Sequence, residues 1–201
     1  SQSKKLKKSA DFDYISKDLP QLITSAEDGA KRVRDIVLNL RSFSRSDEKA
    51  RKEFSLEEGL DSTLNILISD IKNRIKIHKN YGGIPLIFGY PGQINQVFMN
   101  ILTNAIQAIN DKGDIWIETS QKGLEVRVSI RDSGPGIPEN IREKIFDPFF
   151  TTKPVGKGTG LGLSISYGII EKQNGRIEVH SKPKHGTEFV IILPLVTPKK
   201  K

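Results

Sequence analysis

The chain contains, in this order, the stretches Asn100-Ile-Leu-Thr-Asn104-Ala105, Asp132-Ser-Gly134-Pro-Gly136, Phe146-Asp-Pro-Phe149-Phe150-Thr-Thr-Lys153 and Gly156-Lys-Gly158-Thr-Gly160-Leu-Gly162-Leu163. Each motif alone is weak evidence, because a short Asp-x-Gly-x-Gly segment is most often an ordinary turn. Glycines let the backbone turn sharply and approach a ligand closely, and a helix N-terminus favours negative charge. Four such motifs in a fixed order are far more specific, and they decide how the rest of the chain is interpreted.

The segments around these motifs alternate between helix and strand patterns. Ser55-Leu-Glu-Glu58 has the form of a capping box, and Pro91 stands where a helix favours proline in its first turn. The predicted helices cover residues 55–69, 91–110 and 159–173. The predicted strands cover residues 71–80, 86–88, 114–121, 124–132, 176–181 and 187–194, with a long loop over 133–158. The sequence therefore predicts an α+β fold, a two-layer α/β sandwich in which helices cover one face of a mixed sheet.

A long helix is predicted before this domain, over residues 14–47. Its apolar residues alternate steps of four and three, as in a helical bundle, at positions Leu19, Ile23, Ala26, Ala30, Val33, Val37 and Leu40. The partner of this seam is not in the sequence, so we expect another chain, a missing segment or both. The expected division is a partial bundle-forming helix over residues 1–50, a main domain over 54–196 and a basic tail over 197–201.

Composition excludes several classes of protein. The 201 residues are 36% hydrophobic, contain no cysteine, and hold no apolar run of the ~18 residues that a membrane helix needs. The net charge of +8 suggests nucleic-acid binding, but seven of the positive charges are terminal lysines at positions 4, 5, 7, 8 and 199–201. We therefore expect solvated tails, no nucleic-acid partner, no membrane segment in this chain and a cytoplasmic location. The first residue is Ser1 and the sole methionine is Met99, which favours a fragment of a longer protein.

The four motifs closely resemble the N box, first glycine box, F box and second glycine box of sensor histidine kinases, members of the GHKL superfamily of ATP-binding proteins. The resemblance covers residues 54–194, and a weaker one covers the helix before them. It implies ATP and Mg²⁺ as cofactors. It also implies transfer of the γ-phosphoryl group to a histidine and then to an aspartate on the receiver domain of a response regulator. The parent protein is expected to be a homodimer through the N-terminal helix, and whether it has a membrane anchor is left open.

The resemblance also assigns roles to individual residues. Asp132 is implied to accept a hydrogen bond from the adenine N6 amino group, whereas guanine presents a carbonyl oxygen there that repels a carboxylate. Asn104 is implied to bind Mg²⁺, and Asn100 and Lys153 are implied to act on the phosphates as catalytic residues. The residues implied to bind the nucleotide are Asn100, Asn104, Asp132, Gly134, Gly136, Ile137, Phe150, Thr151, Thr152, Lys153, Lys157, Gly158, Thr159, Gly160, Leu161, Gly162, Leu163 and Thr187.

Two departures from the family pattern keep alternatives open. The three histidines, His78, His180 and His185, lie outside the heptad helix, so the phosphoacceptor is not in this sequence. Gln107 stands where many relatives place a lysine or an aromatic residue. One alternative is a GHKL clamp that hydrolyses ATP, although Gln96-Val-Phe-Met-Asn100 lacks the carboxylate that such enzymes place at the start of the N box. The other is a nucleotide-dependent binding or scaffold module without kinase activity.

Overall fold

The computed structural model describes residues 15–16, 18–20, 22–27, 29–30, 51–154 and 158–195. The chain divides into two units, one of residues 1–45 with 152–159 and the other of residues 46–151 with 160–201. In the first unit, the described residues between 15 and 30 are helical, and Leu19 and Ile23 of the predicted seam are about half exposed. The seam positions Val33, Val37 and Leu40 lie outside the described residues, as does the predicted basic tail.

The second unit alternates helices and strands much as the sequence predicts. In chain order its elements are β1 (Lys52–Phe54), α1 (Leu56–Ile66), α2 (Ile68–Ile71), β2 (Ile75–Asn80), β3 (Ile87–Gly89), α3 (Pro91–Ala108), β4 (Gly113–Lys122), β5 (Glu125–Asp132), two 3₁₀ turns (Glu139–Ile141 and Lys144–Phe146), α4 (Gly162–Lys172), β6 (Arg176–Ser181) and β7 (Thr187–Pro194). The predicted cap is present, since the Ser55 hydroxyl oxygen accepts a hydrogen bond from the Glu58 N–H at 3.2 Å.

The main sheet of this unit has the strand order β2-β4-β5-β7-β6. β2 pairs with β4 in parallel, and the pairs β4–β5, β5–β7 and β6–β7 are antiparallel, so the sheet is mixed as predicted. Side chains alternate across it: Ile115, Ile117 and Ile130 are buried, whereas Trp116 and Arg131 lie on the opposite face. Because the helices pack on the buried face, the fold is the two-layer α+β sandwich that the sequence predicts.

Helix α3 is the central helix of this layer. Its buried residues follow the spacing of one helical face, namely Ile94, Val97, Phe98, Ile101, Leu102, Ala105 and Ile106. Its C-terminal carbonyls are capped from another element, because the Arg74 guanidinium donates to the carbonyls of Ile106 at 2.8 Å and Ile109 at 3.0 Å. The helix that carries Asn100 and Asn104 is therefore fixed at both its face and its end.

Some predicted element boundaries are wrong for local reasons. The helix expected near Thr159 begins at Gly162, because Gly160 has a φ of +67° and cannot be part of a right-handed helix. The strand expected from residue 71 begins at Ile75, because residues 68–71 form α2. Strands β6 and β7 have the predicted bounds. None of the helices in the described part of the chain combines the length and hydropathy needed to cross a bilayer.

Candidate functional site

The buried carboxylate of Asp132 lies at the end of β5. Its side chain is 5% exposed and pairs across the sheet with Ile115 of β4 and Thr187 of β7. The backbone N–H of Gly134 donates to Asp132 Oδ1 at 2.7 Å. Burial raises the pKa of the Asp132 carboxyl above its ordinary value, and the N–H groups of Gly134 and Thr187 partly offset this effect. The strand end therefore holds a hydrogen-bond acceptor in a water-poor setting.

The loop that follows Asp132 is pressed between helix α3 and the turn that joins β6 to β7. A Cβ atom on Gly134 would lie 2.7 Å from Asp132 Oδ1 and 3.0 Å from the Ala108 Cβ, which leaves no room for a side chain. Gly136 has a φ of +76°, and a Cβ there would overlap the Lys182 carbonyl. The Lys184 N–H donates to the Pro135 carbonyl at 2.6 Å, so the exposed turn supports the loop directly.

Ser181 connects this loop to strand β7. Its hydroxyl donates to the Gly186 carbonyl at 2.9 Å, accepts from the Ile137 N–H at 2.7 Å and lies 3.0 Å from Thr187 Oγ1. Ser181 was not predicted as a site residue. The available signal was its position at the end of a predicted strand that leads through a short turn to Thr187, which makes the two residues neighbours in an antiparallel pair.

Helix α4, which begins within the fourth motif, is hydrogen-bonded to α3 through Asn100. Its Nδ2 donates to the Gly162 carbonyl at 2.9 Å and to Ser166 Oγ at 3.1 Å, and the buried Ser166 hydroxyl donates to the same carbonyl at 2.8 Å. Both amide hydrogens of Asn100 are therefore directed at α4, and the oxygen is the group left for a ligand. Ser166 likewise was not predicted from the sequence.

The phenylalanine-rich loop is docked on the residues before α4. The Phe149 N–H donates to the Gly160 carbonyl at 2.9 Å, and a Cβ on Gly160 would overlap the Phe149 backbone. The Phe146 ring contacts the Tyr167 ring of α4, with 5.5 Å between centroids. The third and fourth motifs are thus in direct contact. Of the predicted site residues in these motifs, Phe150 and Leu163 are half-buried and Leu161 is buried.

Several predicted site residues belong to the first unit and are described by themselves. Thr152, Lys153, Gly158 and Thr159 lie in that unit, whereas Thr151 lies in the second. Burial lowers the pKa of the Lys153 ammonium below its ordinary value. Lys157 lies outside the described residues. The contribution of these residues to a ligand site therefore stays a prediction.

The sequence of this site matches a known family model. Residues 89–197 match the model described as histidine kinase-, DNA gyrase B-, and HSP90-like ATPase. The chain belongs to this ATPase family. Among its relatives is sporulation kinase A of Bacillus subtilis (strain 168), which is 34% identical over 81% of this chain and 27% of its own length. The sensor kinase AtoS of Escherichia coli (strain K12) is 37% identical over 81% of this chain and 27% of its own. The chain thus spans about a quarter of the length of these two relatives.

Solved structures of histidine kinases have the same fold. The nucleotide-free catalytic domain of histidine kinase ThkA has a TM-score of 0.67 and 35% identity, and the match covers 73% of this chain and 97% of that domain. A structure of ThkA in complex with the response regulator protein TrrA has a TM-score of 0.68 and 29% identity, covering 86% of this chain and 50% of ThkA. Within the ATPase family, this chain therefore resembles histidine kinase catalytic domains.

The donor chemistry of this candidate site fits a hard cation. Within the described ranges, no group of three or more histidine, aspartate or glutamate side chains is placed to hold a metal ion. Asn104 lies one turn after Asn100 on α3, and both side chains are half-buried. Amide oxygens suit Mg²⁺, which takes few protein ligands and completes its shell with phosphate oxygens and water.

The hydrogen bonds from Asn100 on α3 to helix α4 lead to a testable prediction about stability. Asn100→Asp removes both amide donors and places a carboxylate against the Gly162 carbonyl, so we expect a loss of about 2–3 kcal/mol in the free energy of unfolding. Urea denaturation measures this loss. The control is Asn110→Asp, which adds the same charge at an exposed position just after α3 and should change stability by less than about 0.5 kcal/mol. Equal urea midpoints for Asn100→Asp and the unchanged protein would contradict the prediction.

Proposed function

We propose that residues 54–196 form the ATP-binding catalytic domain of a two-component sensor histidine kinase. The observation that carries the proposal is the buried Asp132 carboxylate at a strand end, with Thr187 beside it and a close-packed glycine loop after it. A carboxylate in this position accepts a hydrogen bond from the exocyclic amine of adenine. A 6-oxo purine presents an acceptor oxygen at that position instead. Because two acceptors would then face each other, GTP is disfavoured.

The phosphates extend from this base site toward the residues at the start of α4. A helix N-terminus presents unpaired backbone N–H groups and favours negative charge, and the glycines before Gly162 let the backbone approach the ligand. In this proposal Lys153, Lys157, Thr151 and Thr152 contact phosphate oxygens. Asn104 would hold Mg²⁺, which would neutralise phosphate charge, and Asn100 acts on the phosphates.

The reaction transfers the γ-phosphoryl group of ATP to the imidazole of a histidine outside residues 1–201. The bond between the γ-phosphorus and the β–γ bridging oxygen breaks, a phosphorus–nitrogen bond forms and ADP leaves. The group then passes to an aspartate of a response-regulator receiver domain, which regenerates the histidine. This chain supplies binding and orientation, which carry much of the rate in phosphoryl transfer.

The proposed partners follow from the N-terminal helix and from the relatives. Ile15, Leu19, Leu22 and Ile23 are each at least half exposed, which favours a second helix covering them in the parent protein. We propose that this helix belongs to a homodimer of the parent protein. The ThkA complex supports a response regulator as the second partner of the present chain. The proposed location of the domain is the cytoplasm, where ATP and response regulators occur.

Phosphoryl transfer from γ-labelled ATP tests the proposal, with this chain alone and with a version extended upstream along the parent sequence. We expect acid-labile, base-stable label on the extended version and none on the chain alone, because phosphohistidine has that stability and the acceptor lies outside this sequence. Asp132→Asn in the extended version is the control and should remove the label. Phosphate release without labelled protein would instead favour a hydrolytic clamp, and ATP binding without either product would favour a scaffold module.

A further inference from the structure

We infer that Ser181 sets the base preference of this domain by fixing the hydroxyl proton of Thr187. The inference rests on the proposed function, because it concerns how the same site distinguishes adenine from 6-oxo purines. Ser181 acts through Thr187 and is therefore a positioning residue.

The hydrogen bonds of the Ser181 hydroxyl use its full capacity. A serine hydroxyl has one hydrogen to donate and two lone pairs to accept with. The Gly186 carbonyl, at 2.9 Å, can only accept, and the Ile137 N–H, at 2.7 Å, can only donate. The remaining lone pair of Ser181 faces Thr187 Oγ1 at 3.0 Å.

The direction of the Ser181–Thr187 hydrogen bond follows from this count. If Ser181 donated to Thr187, the Gly186 carbonyl would lose this donor, and Gly186 is buried. Leaving a buried carbonyl without a donor is costly, whereas no group is left unsatisfied if Thr187 donates to Ser181. The hydroxyl proton of Thr187 is therefore committed to Ser181, and Thr187 Oγ1 offers only lone pairs elsewhere.

The base site consequently presents acceptors on two neighbouring strands. Asp132 and Thr187 are directly paired between β5 and β7, and both side chains are buried on the helix-covered face. Directly opposed residues in an antiparallel pair lie close enough for both side chains to contact one group. Two acceptors match the amino group of adenine, which carries two hydrogens, and oppose the 6-oxo group of hypoxanthine or guanine. Without Ser181, the Thr187 hydroxyl could rotate and donate to a 6-oxo group.

The experiment compares dissociation constants for ATP and inosine triphosphate, which differ in the base only at position 6 and in the N1 proton. It uses the full chain and its variants Ser181→Ala, Thr187→Val and the double variant. We expect Ser181→Ala to narrow the preference for ATP over inosine triphosphate by roughly five- to tenfold, the effect of one hydrogen bond of ordinary strength. In the Thr187→Val background the same change should leave the ratio unaltered, because the hydroxyl through which Ser181 acts is gone.

The matched control is Ser129→Ala. Ser129 lies on strand β5, next to β7, and its hydroxyl donates to Glu188 at 2.6 Å on the sheet face opposite Asp132 and Thr187, so both affinities should stay unchanged. If Ser181→Ala does not fold, Ser181→Cys fills the position with a slightly larger and more weakly hydrogen-bonding group and must narrow the ratio in the same direction. An equal loss of affinity for both nucleotides, or equal narrowing with and without the Thr187 hydroxyl, would overturn the inference alone. Failure of the unchanged chain to bind ATP would overturn the proposed function and the inference with it.

Discussion

Replacing Asp132 by asparagine is expected to weaken ATP binding by roughly 100-fold, since a hydrogen bond to a charged group contributes about 1.5–3 kcal/mol and an opposed donor adds to its loss. The carboxylate accepts from the N–H groups of Gly134 and Thr187 and retains lone pairs for a ligand. An asparagine has one acceptor oxygen and one NH₂ group. Whichever way the amide is turned, a donor then faces either a backbone N–H or the adenine amine. Titration with ATP and Mg²⁺ measures the effect.

Asp114→Asn is the matched control for this variant. Asp114 lies at the same end of the sheet on β4, is partly exposed, and has its Oδ1 2.6 Å from His78 Nε2. The substitution makes the same chemical change without altering the buried carboxylate, so ATP affinity should be kept within about twofold, in line with the small effects of surface changes. Urea denaturation should show that Asp132→Asn remains folded. Unchanged ATP affinity in folded Asp132→Asn would refute the adenine assignment.

Replacing Gly186 by alanine is expected to destabilise the domain by about 3 kcal/mol or more, the range of the most disruptive single substitutions. Gly186 has a φ of +79°, and a Cβ there would overlap the Asp132 carbonyl oxygen, with the Ser133 Cα 3.4 Å away. Both neighbours are backbone atoms of the adjacent strand and loop, so no side-chain rotation can relieve the overlap. The expected consequence is separation of the β5 and β7 ends, with loss of ATP binding as well as stability.

Gly123→Ala separates the steric part of this effect from the conformational part. Gly123 joins β4 to β5 with a φ of +62°, but a Cβ there meets no atom within 4 Å. Gly123→Ala should therefore lower the free energy of unfolding only by the cost of placing alanine in a left-handed conformation, about 1–2 kcal/mol, and leave ATP affinity unchanged. Urea midpoints of the two variants make the comparison. If they are equally destabilised, the predicted overlap with Asp132 is not the cause.

The fold was largely predictable because its elements have strong periodicity and clear ends. Strand β6 alternates apolar and polar residues between Asn174-Gly175 and the turn at Pro183–Gly186, and β7 is an apolar run that starts directly after that turn. The bounds of both strands agree with the prediction. The start of α4 was not predictable by the same means. The glycines around its start are compatible both with a helix and with an extended loop that approaches a ligand. The positive φ of Gly160 depends on the contact with Phe149.

The positions of candidate site residues were predictable where they lie in a sequence motif. The hydrogen bonds between elements that are distant in the sequence were not predictable. Asp132 and Thr187 carry motif signals, and the structure places them on neighbouring strands. Ser181, Ser166 and Arg74 contribute hydrogen bonds that depend on strand register or on the approach of distant segments. The end position of Ser181 on a predicted strand indicates its neighbour Thr187 but not its other hydrogen bonds, and a serine inside a helix has no distinctive periodicity. A single sequence therefore does not reveal the remaining contacts.

The strand order also determines when, during synthesis, the proposed base site can form. Asp132 ends β5, but the Gly186 carbonyl and the Thr187 hydroxyl beside it come with β7, which is synthesised after every other strand described here. A ribosome-bound chain that stops before β7 holds the carboxylate without the residues that enclose it, although β4 and β5 can already pair as a local hairpin. The newly made domain can therefore pair β2, β4 and β5 before the proposed base site is complete.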